Sequence, residues 1–138
     1  MKLVYPAIFT PCKELSGYTV EVPDLPGCVT EGRSLVEAIE MGVDAASGWI
    51  LDEMEDGNAY PAPSDLSKIS CPAGSFVNLL VLDMDAYSEK YGSKTVRKNI
   101  TIPAWLNTYG EKKGINFSKV LQDALISAAK ENDHSLTL

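Results

Sequence analysis

Thr95–Lys130 reads T-V-R-K-N-I-T-I-P-A-W-L-N-T-Y-G-E-K-K-G-I-N-F-S-K-V-L-Q-D-A-L-I-S-A-A-K. Side chains alternate sides along a strand. Counting back from Pro103, Ile102 and Ile100 therefore fall on one side, and Thr101, Asn99 and Arg97 on the other. Lys98 falls on the apolar side and is a flaw in the pattern. Pro103 suits the first turn of a helix, where the missing amide costs nothing. That helix carries Trp105, Leu106 and Tyr109 and stops near Gly114. Asn116 is a candidate N-cap for a second helix. Its apolar residues Phe117, Val120, Leu121, Ala124, Leu125 and Ala128 keep the 3.6-residue period.

A strand and two helices in about 40 residues are too short to enclose a core. A lone strand also leaves a row of unpaired backbone groups. Both defects vanish if two copies pair their strands antiparallel and interleave their helices, so the expectation is a twofold homodimer. The paired strands would present Arg97, Asn99 and Thr101 outward. A two-stranded ribbon fits the DNA major groove, and Arg and Asn make bidentate contacts to guanine and adenine. The segment resembles a ribbon-helix-helix DNA-binding domain of the Arc and MetJ type. The start of the second helix, Asn116, Phe117 and Ser118, is placed to offer amides to a phosphate. Lys112, Lys113 and Lys119 would add salt-sensitive phosphate contacts. The plainer readings are a polar edge strand with two amphipathic helices, and, for each lysine, a solvated surface charge.

The 138 residues carry a net charge of −7, which argues at first against a nucleic-acid partner. The charge is unevenly spread. Residues 93–138 hold seven bases and four acids, whereas residues 1–92 hold five bases and fifteen acids. The split, at Gly92-Ser93-Lys94, divides the chain into domains 1–92 and 93–138 with different partners. The acidic part would prefer something basic, or would simply be a solvated acidic surface.

No export signal or membrane-spanning run is recognisable, so a cytoplasmic protein without a membrane partner is expected. Cys12, Cys28 and Cys71 are odd in number and not spaced for zinc, which reads as reduced and mostly buried. His134 is the single histidine and lies in a polar tail, which removes Ser-His and Cys-His catalysis. No catalytic residue, metal or cofactor is assigned.

The first 92 residues read as one sheet covered on one face by one helix, giving an α+β class overall. Leu3–Thr10 is a strand, with Pro6 placing it at an edge or near a bend. Tyr18–Val22 alternates, with Tyr18, Val20 and Val22 inward. Pro23–Gly27 turns the chain into a short strand at Cys28–Glu31. Ser34-Leu35-Val36-Glu37 fits a capping box. The helix it opens has a predicted stripe of Leu35, Ile39, Val43, Ala46, Trp49, Ile50 and Met54 and ends near Gly57. Gly42 and Gly48 weaken that helix and point to close packing on the sheet. Its outward residues Glu37, Glu40, Asp44, Asp52 and Glu53 are acidic. Tyr60–Ser64 is a connector, Ser75–Leu82 reads as a buried strand, and Asp83–Tyr91 as a short helix or turn.

Tyr18–Glu40, Y-T-V-E-V-P-D-L-P-G-C-V-T-E-G-R-S-L-V-E-A-I-E, closely resembles the core motif of HicB antitoxins. With the ribbon-helix-helix tail of one branch of that family, the resemblance covers nearly the whole chain. It implies an N-terminal degraded RNase H-like fold and an antitoxin that silences HicA, a small basic mRNA-cutting toxin. It also implies repression of its own operon through operator DNA, as a dimer, a tetramer or a larger complex with toxin. The toxin contacts are not assigned; the acidic helix face and the strand edge near Pro6 are the candidates. Inhibition would proceed either by covering the toxin's catalytic histidine or by blocking its basic RNA-binding surface. Two other functions are consistent with the sequence. One is an orphan ribbon-helix-helix regulator whose front domain binds a ligand or protein. The other is a residual RNase H-like nuclease gathering Glu21, Asp24, Asp83 and Asp85 around two metal ions.

Overall fold

The structure is a computed structural model that describes residues 1–14, 16–92 and 94–136, with the backbone alone for 132–136. The chain divides into two compact units, Lys2–Gly92 and Ser93–Leu138, the latter taking in Met1.

In the first unit, β1 (Lys2–Pro11), β2 (Tyr18–Glu21), β3 (Val29–Gly32) and β4 (Phe76–Asp83) form one sheet in the order β3-β2-β1-β4. All neighbours are antiparallel, with Phe9 opposite both Val20 and Phe76, and Tyr5 opposite Leu80. Tyr5, Ala7, Phe9, Val20, Leu80 and Leu82 share one face by this register and are fully buried. Phe9 stacks on Phe76 with ring centroids 5.3 Å apart, and Tyr18 meets Phe76 edge-on at 5.9 Å. Such pairs add to area burial.

Pro6 lies on an interior strand, yet β2 reaches only Ile8–Pro11, so at Pro6 the strand has a ladder neighbour on the β4 side alone. A residue without an N–H is tolerated at such a local edge. Its partner across the ladder is Leu79. A pair containing proline cannot exchange both ladder bonds, which turns the Leu79 N–H outward. There it donates to the Asn78 side chain at 2.9 Å.

The helix α1 (Leu35–Glu55) begins at Ser34, whose hydroxyl accepts the Glu37 N–H at 3.1 Å, and its C-cap is Asp56. Its buried residues are Ala38, Gly42, Ala46, Ser47, Ile50 and Leu51. This departs from the expected stripe: Leu35 and Met54 are exposed, while Ile39, Val43 and Trp49 are half-buried. The cause is the closeness of the helix to the sheet. A Cβ at Gly42 would stand 3.2 Å from both Leu80 Cδ1 and Val20 Cγ1, and one at Gly48 3.0 Å from the Tyr87 hydroxyl. Small residues therefore take the contact line and the larger ones move to its flanks.

The β2–β3 loop closes on itself: Val22 N–H donates to Cys28 O and Cys28 N–H to Leu25 O, each at 3.0 Å. Val22, Leu25 and Cys28 are thereby buried, and the Trp49 indole N–H donates to Pro26 O at 3.0 Å. The connector is held to the same region. The Asp24 carboxylate accepts the Ser64 N–H at 2.8 Å and the Ser64 hydroxyl, and the Tyr5 hydroxyl donates to Pro61 O.

β4 completes the sheet, but as an edge strand buried on one face only. Leu80 and Leu82 are inside, whereas Leu79 and Val81 are exposed. The apolar run read as buried because both of its faces are apolar; α1 lies over just one of them. Asp83 then caps α2 (Met84–Tyr91) by accepting the Ala86 N–H at 3.2 Å.

In the second unit, α3 (Ala104–Lys113) and α4 (Phe117–Leu136) are joined by a tight corner. Gly114 takes the left-handed conformation at φ 65°. Its N–H donates to Glu111 O at 3.2 Å and the Ile115 N–H to Gly110 O at 2.9 Å, the two bonds of a Schellman motif. Asn116 caps α4 by accepting the Lys119 N–H at 3.1 Å. Pro103 sits one position earlier than expected, as the N-cap of α3 with its carbonyl accepting from Leu106 and Asn107, because its ψ of 141° is not helical. Residues 94–103 belong to neither a helix nor a ladder of the sheet.

Candidate nucleic-acid and partner interfaces

The second unit leaves its apolar residues largely uncovered. Val96 is 82% exposed, Trp105 70% and Leu125 60%, and Ile100, Ile102, Tyr109, Phe117, Val120 and Ile126 are exposed too. Gly110 is the buried residue of α3. So many exposed apolar side chains in one small unit are what a surface meant for association offers. Phe117 packs against Gly110, where an added Cβ would overlap the ring, standing 2.6 Å from Cε1.

Arg97, Asn99 and Thr101 are exposed in the stretch ahead of α3. Lys112 and Lys113 occupy the last turn of α3, where the helix dipole favours cations. Lys119 and Asn116 lie just across the Gly114 corner, so these groups gather at one end of the helix pair. Two of the expected phosphate contacts have other work. The Asn116 side chain caps α4, and Lys119 bridges Asp123 at 3.5 Å with both side chains mostly exposed. An exposed pair of this kind contributes little stability and exchanges readily for another anion. Ser118 is exposed in the first turn, and the Phe117 side chain is turned to Gly110.

In the first unit, the carboxylates weighed as a nuclease centre hold separate positions. Glu21 is exposed on β2 opposite Ile8, Asp24 binds Ser64, Asp83 caps α2 and Asp85 lies in its first turn. Among the described residues, no three His, Cys, Asp or Glu side chains converge as a metal site. No helix among them is long and apolar enough to cross a membrane.

The two candidate partner surfaces differ. On α1, Glu37, Glu40, Asp44 and Asp52 are exposed and Glu53 half-buried. Burial, and then the nearby Asp44 carboxylate, push the Tyr87 hydroxyl above its ordinary pKa. The edge near Pro6 adjoins the Tyr5–Pro61 contact. Burial first, then Tyr60 and Asp24, raise the pKa of Tyr5. The Cys28 thiol is raised by burial alone, Cys71 is exposed, and all three cysteines are free.

The residues that sequence reasoning missed are those joined across a connector or a helix corner. Neither the Asp24–Ser64 link nor the seat of Phe117 on Gly110 follows from any local pattern. A glycine inside a helix was the available hint for the second, as it was for Gly42.

Comparison with known proteins gives a consistent result. Residues 5–122 match the family described as HicB_like antitoxin of bacterial toxin-antitoxin system. An uncharacterized 14.9 kDa protein from the rep-hol intergenic region of Haemophilus phage HP1 is 34% identical over 65% of this chain and 67% of its own length. Antitoxin HicB of Escherichia coli K12 is 33% identical over 62% of this chain and 64% of its own, so the match spans somewhat less than two thirds of that antitoxin. A toxin-antitoxin complex from Streptococcus pneumoniae contains a chain that is 28% identical, with a TM-score of 0.60 over 93% of this chain and 99% of that one. The Burkholderia pseudomallei antitoxin HicB shares the fold at 24% identity, with a TM-score of 0.52 over 91% of this chain and 98% of that one.

Proposed function

The chain belongs to the HicB-like antitoxin family of bacterial toxin–antitoxin systems, and from that premise we propose that it neutralises a HicA-type mRNA interferase through residues 1–92 and represses its own operon through residues 93–138. The observation that carries the second half is the exposed apolar surface of the α3–α4 unit beside residues 94–103, which take part in no ladder. Two copies remedy both at once. Their extended segments pair antiparallel, and Ile100 and Ile102 turn under the ribbon against Trp105 and the α4 residues Val120 and Leu125. Arg97, Asn99 and Thr101 are then left on the outer surface for base edges, where each good bidentate pair gives about 1–3 kcal/mol of discrimination. Lys112, Lys113, Lys119 and the start of α4 at Asn116, Phe117 and Ser118 flank the ribbon and meet phosphates. For Lys119 this means exchanging Asp123 for the nucleic acid.

The first half rests on family membership together with the acidic surface of residues 1–92. An antitoxin acts by equilibrium binding, so this reading asks no chemistry of the chain. A cytoplasmic setting and a fold derived from RNase H belong to the same proposal. The test is co-expression with the short reading frame next to this gene: the product co-purifies with the tagged chain, and its toxicity returns when the chain is withdrawn. Failure of a non-toxic active-site variant of that product to bind would remove the antitoxin half and leave an operator-binding regulator.

A further inference from the structure

Asp44, Gly48, Asp52 and Glu55 follow one another at spacings of four, four and three, so they line one side of α1. α2 lies along that side. A Cβ at Gly48 would stand 3.0 Å from the Tyr87 hydroxyl, and one at Gly92 3.5 Å from Glu55 Oε1. Asp52 falls between these two points of approach. Beyond burial, the Tyr87 hydroxyl is acted on by Asp44, then by Tyr91 and Asp52. The Tyr91 ring leans on that of Tyr87, with centroids 4.6 Å apart and planes tilted by 42°. Tyr91 is 51% exposed, and both aspartates are exposed. Among the described residues neither aspartate forms an ion pair. The Tyr91 ring already carries a cation, since Lys90 Nζ lies 5.3 Å from its centroid.

From this juxtaposition we infer that the strip between α1 and α2 receives an arginine side chain of a basic protein partner, its guanidinium against Tyr91 and its N–H groups turned to Asp52. Charge selects a basic partner. The first 92 residues hold fifteen acids and five bases, and a strip walled by carboxylates repels phosphate. The tyrosines then select the side chain. A guanidinium is planar and weakly hydrated, so it stacks on an aromatic face while its fork of donors reaches a carboxylate. An ammonium is a strongly hydrated point charge and uses the ring less well.

Lys90 shows that the ring accepts a cation, and as the neighbour of Tyr91 in sequence it is an exposed occupant that gives way. Asp44 and Glu55, on either side of Asp52, add to the field that draws the cation in. That the partner is the toxin rests on the antitoxin reading above; the preference of the strip for arginine does not.

The experiment is calorimetric titration of the full chain with two probes. One is a non-toxic active-site variant of the product of the neighbouring reading frame; the other is hexa-arginine, with hexalysine beside it. Tyr91→Ala, and Asp44→Asn combined with Asp52→Asn, should each weaken binding of the toxin variant and of hexa-arginine by about fivefold or more. Tyr91→Phe should retain it, and Lys90→Gln should tighten it. Glu21→Gln with Glu31→Gln removes the same charge from exposed positions on the strands and should leave both affinities unchanged. Circular dichroism checks that each variant is folded. Toxin binding that the folded strip variants leave at the wild-type level would overturn the inference while the antitoxin reading stands. Equal weakening by the strand pair, or equal affinity for the two peptides, would reduce the strip to unspecific charge and overturn it as well. Hexa-arginine bound through the strip by a chain that does not bind the toxin variant would keep the strip and remove the antitoxin reading.

Discussion

Phe117, the first residue of α4, is seated on Gly110 of α3, so closely that any side chain at Gly110 would occupy the place of the ring. Together with the Schellman turn at Gly114, this contact fixes the corner between the two helices. Gly110→Leu should open that corner. Overpacking of this kind costs about 1–3 kcal/mol, set against about 1 kcal/mol gained in helix propensity on replacing glycine. The expected outcome is loss of self-association by residues 93–138, read by light scattering, with the melting of the sheet unit unchanged. Unaltered association would show that the corner does not position the helices.

Gly42 is the corresponding point in the first unit, 3.2 Å from Leu80 Cδ1 and Val20 Cγ1 for an added Cβ. Both neighbours are fully buried, so little room can be made. Gly42→Val should therefore lower stability by roughly 1–3 kcal/mol through overpacking, measured as a shift in urea midpoint at constant slope. A stabilised variant would mean that helix propensity outweighs the contact.

The Asp24 carboxylate ties the connector to the β2–β3 loop by accepting both the N–H and the hydroxyl of Ser64. Hydrogen bonds to a charged group contribute about 1.5–3 kcal/mol. Asp24→Ala should accelerate limited proteolysis between residues 58 and 75, and Ser64→Ala should do so more weakly because its N–H remains. Equal cleavage of wild type and Asp24→Ala would remove the clasp from the account.

Alkaline pH should destabilise the sheet unit. The Tyr5 and Tyr87 hydroxyls are held above their ordinary value of 10.0 by burial, and Cys28 above 9.0. The neutral forms are the ones the fold favours. Stability is therefore full below the unfolded values and is lost as pH rises through them towards the raised folded values. Urea midpoints under reducing conditions should fall as pH rises through the ordinary values of 9.0 for the thiol and 10.0 for the phenols, and Tyr87→Phe should lessen the fall. The same burial predicts that iodoacetamide modifies Cys71 first and Cys28 last.

Local chemistry was the readable part of this chain. Ser34 with Glu37, Gly114, and Asn116 each mark a helix end because a cap is settled within a few residues. The four strands of the first unit also lie within a residue or two of where the sequence puts them, whereas the alternating stretch ahead of Pro103 forms no ladder within one chain. What was not legible depended on partners distant in sequence. The rotation of α1 is set by Leu80 and Val20 pressing on Gly42, and hydrophobicity alone points the larger Leu35 and Met54 inward. The half-exposure of β4 depends on how many helices are available to cover it, a count that the strand itself does not encode. For the site, the pattern located Arg97, Asn99 and Thr101 on exposed backbone and read Asn116 as a cap, but gave no warning that Lys119 has a local partner in Asp123.

The central claim is that residues 94–103 pair with their twin and present Arg97 and Asn99 to DNA. An electrophoretic shift assay with the region upstream of the gene tests it most directly, comparing the wild type with Arg97→Ala and Asn99→Ala proteins of verified equal mass. The account expects a salt-sensitive shift by the wild type and none by either variant at the same concentration. Variants that shift the fragment as the wild type does would contradict it.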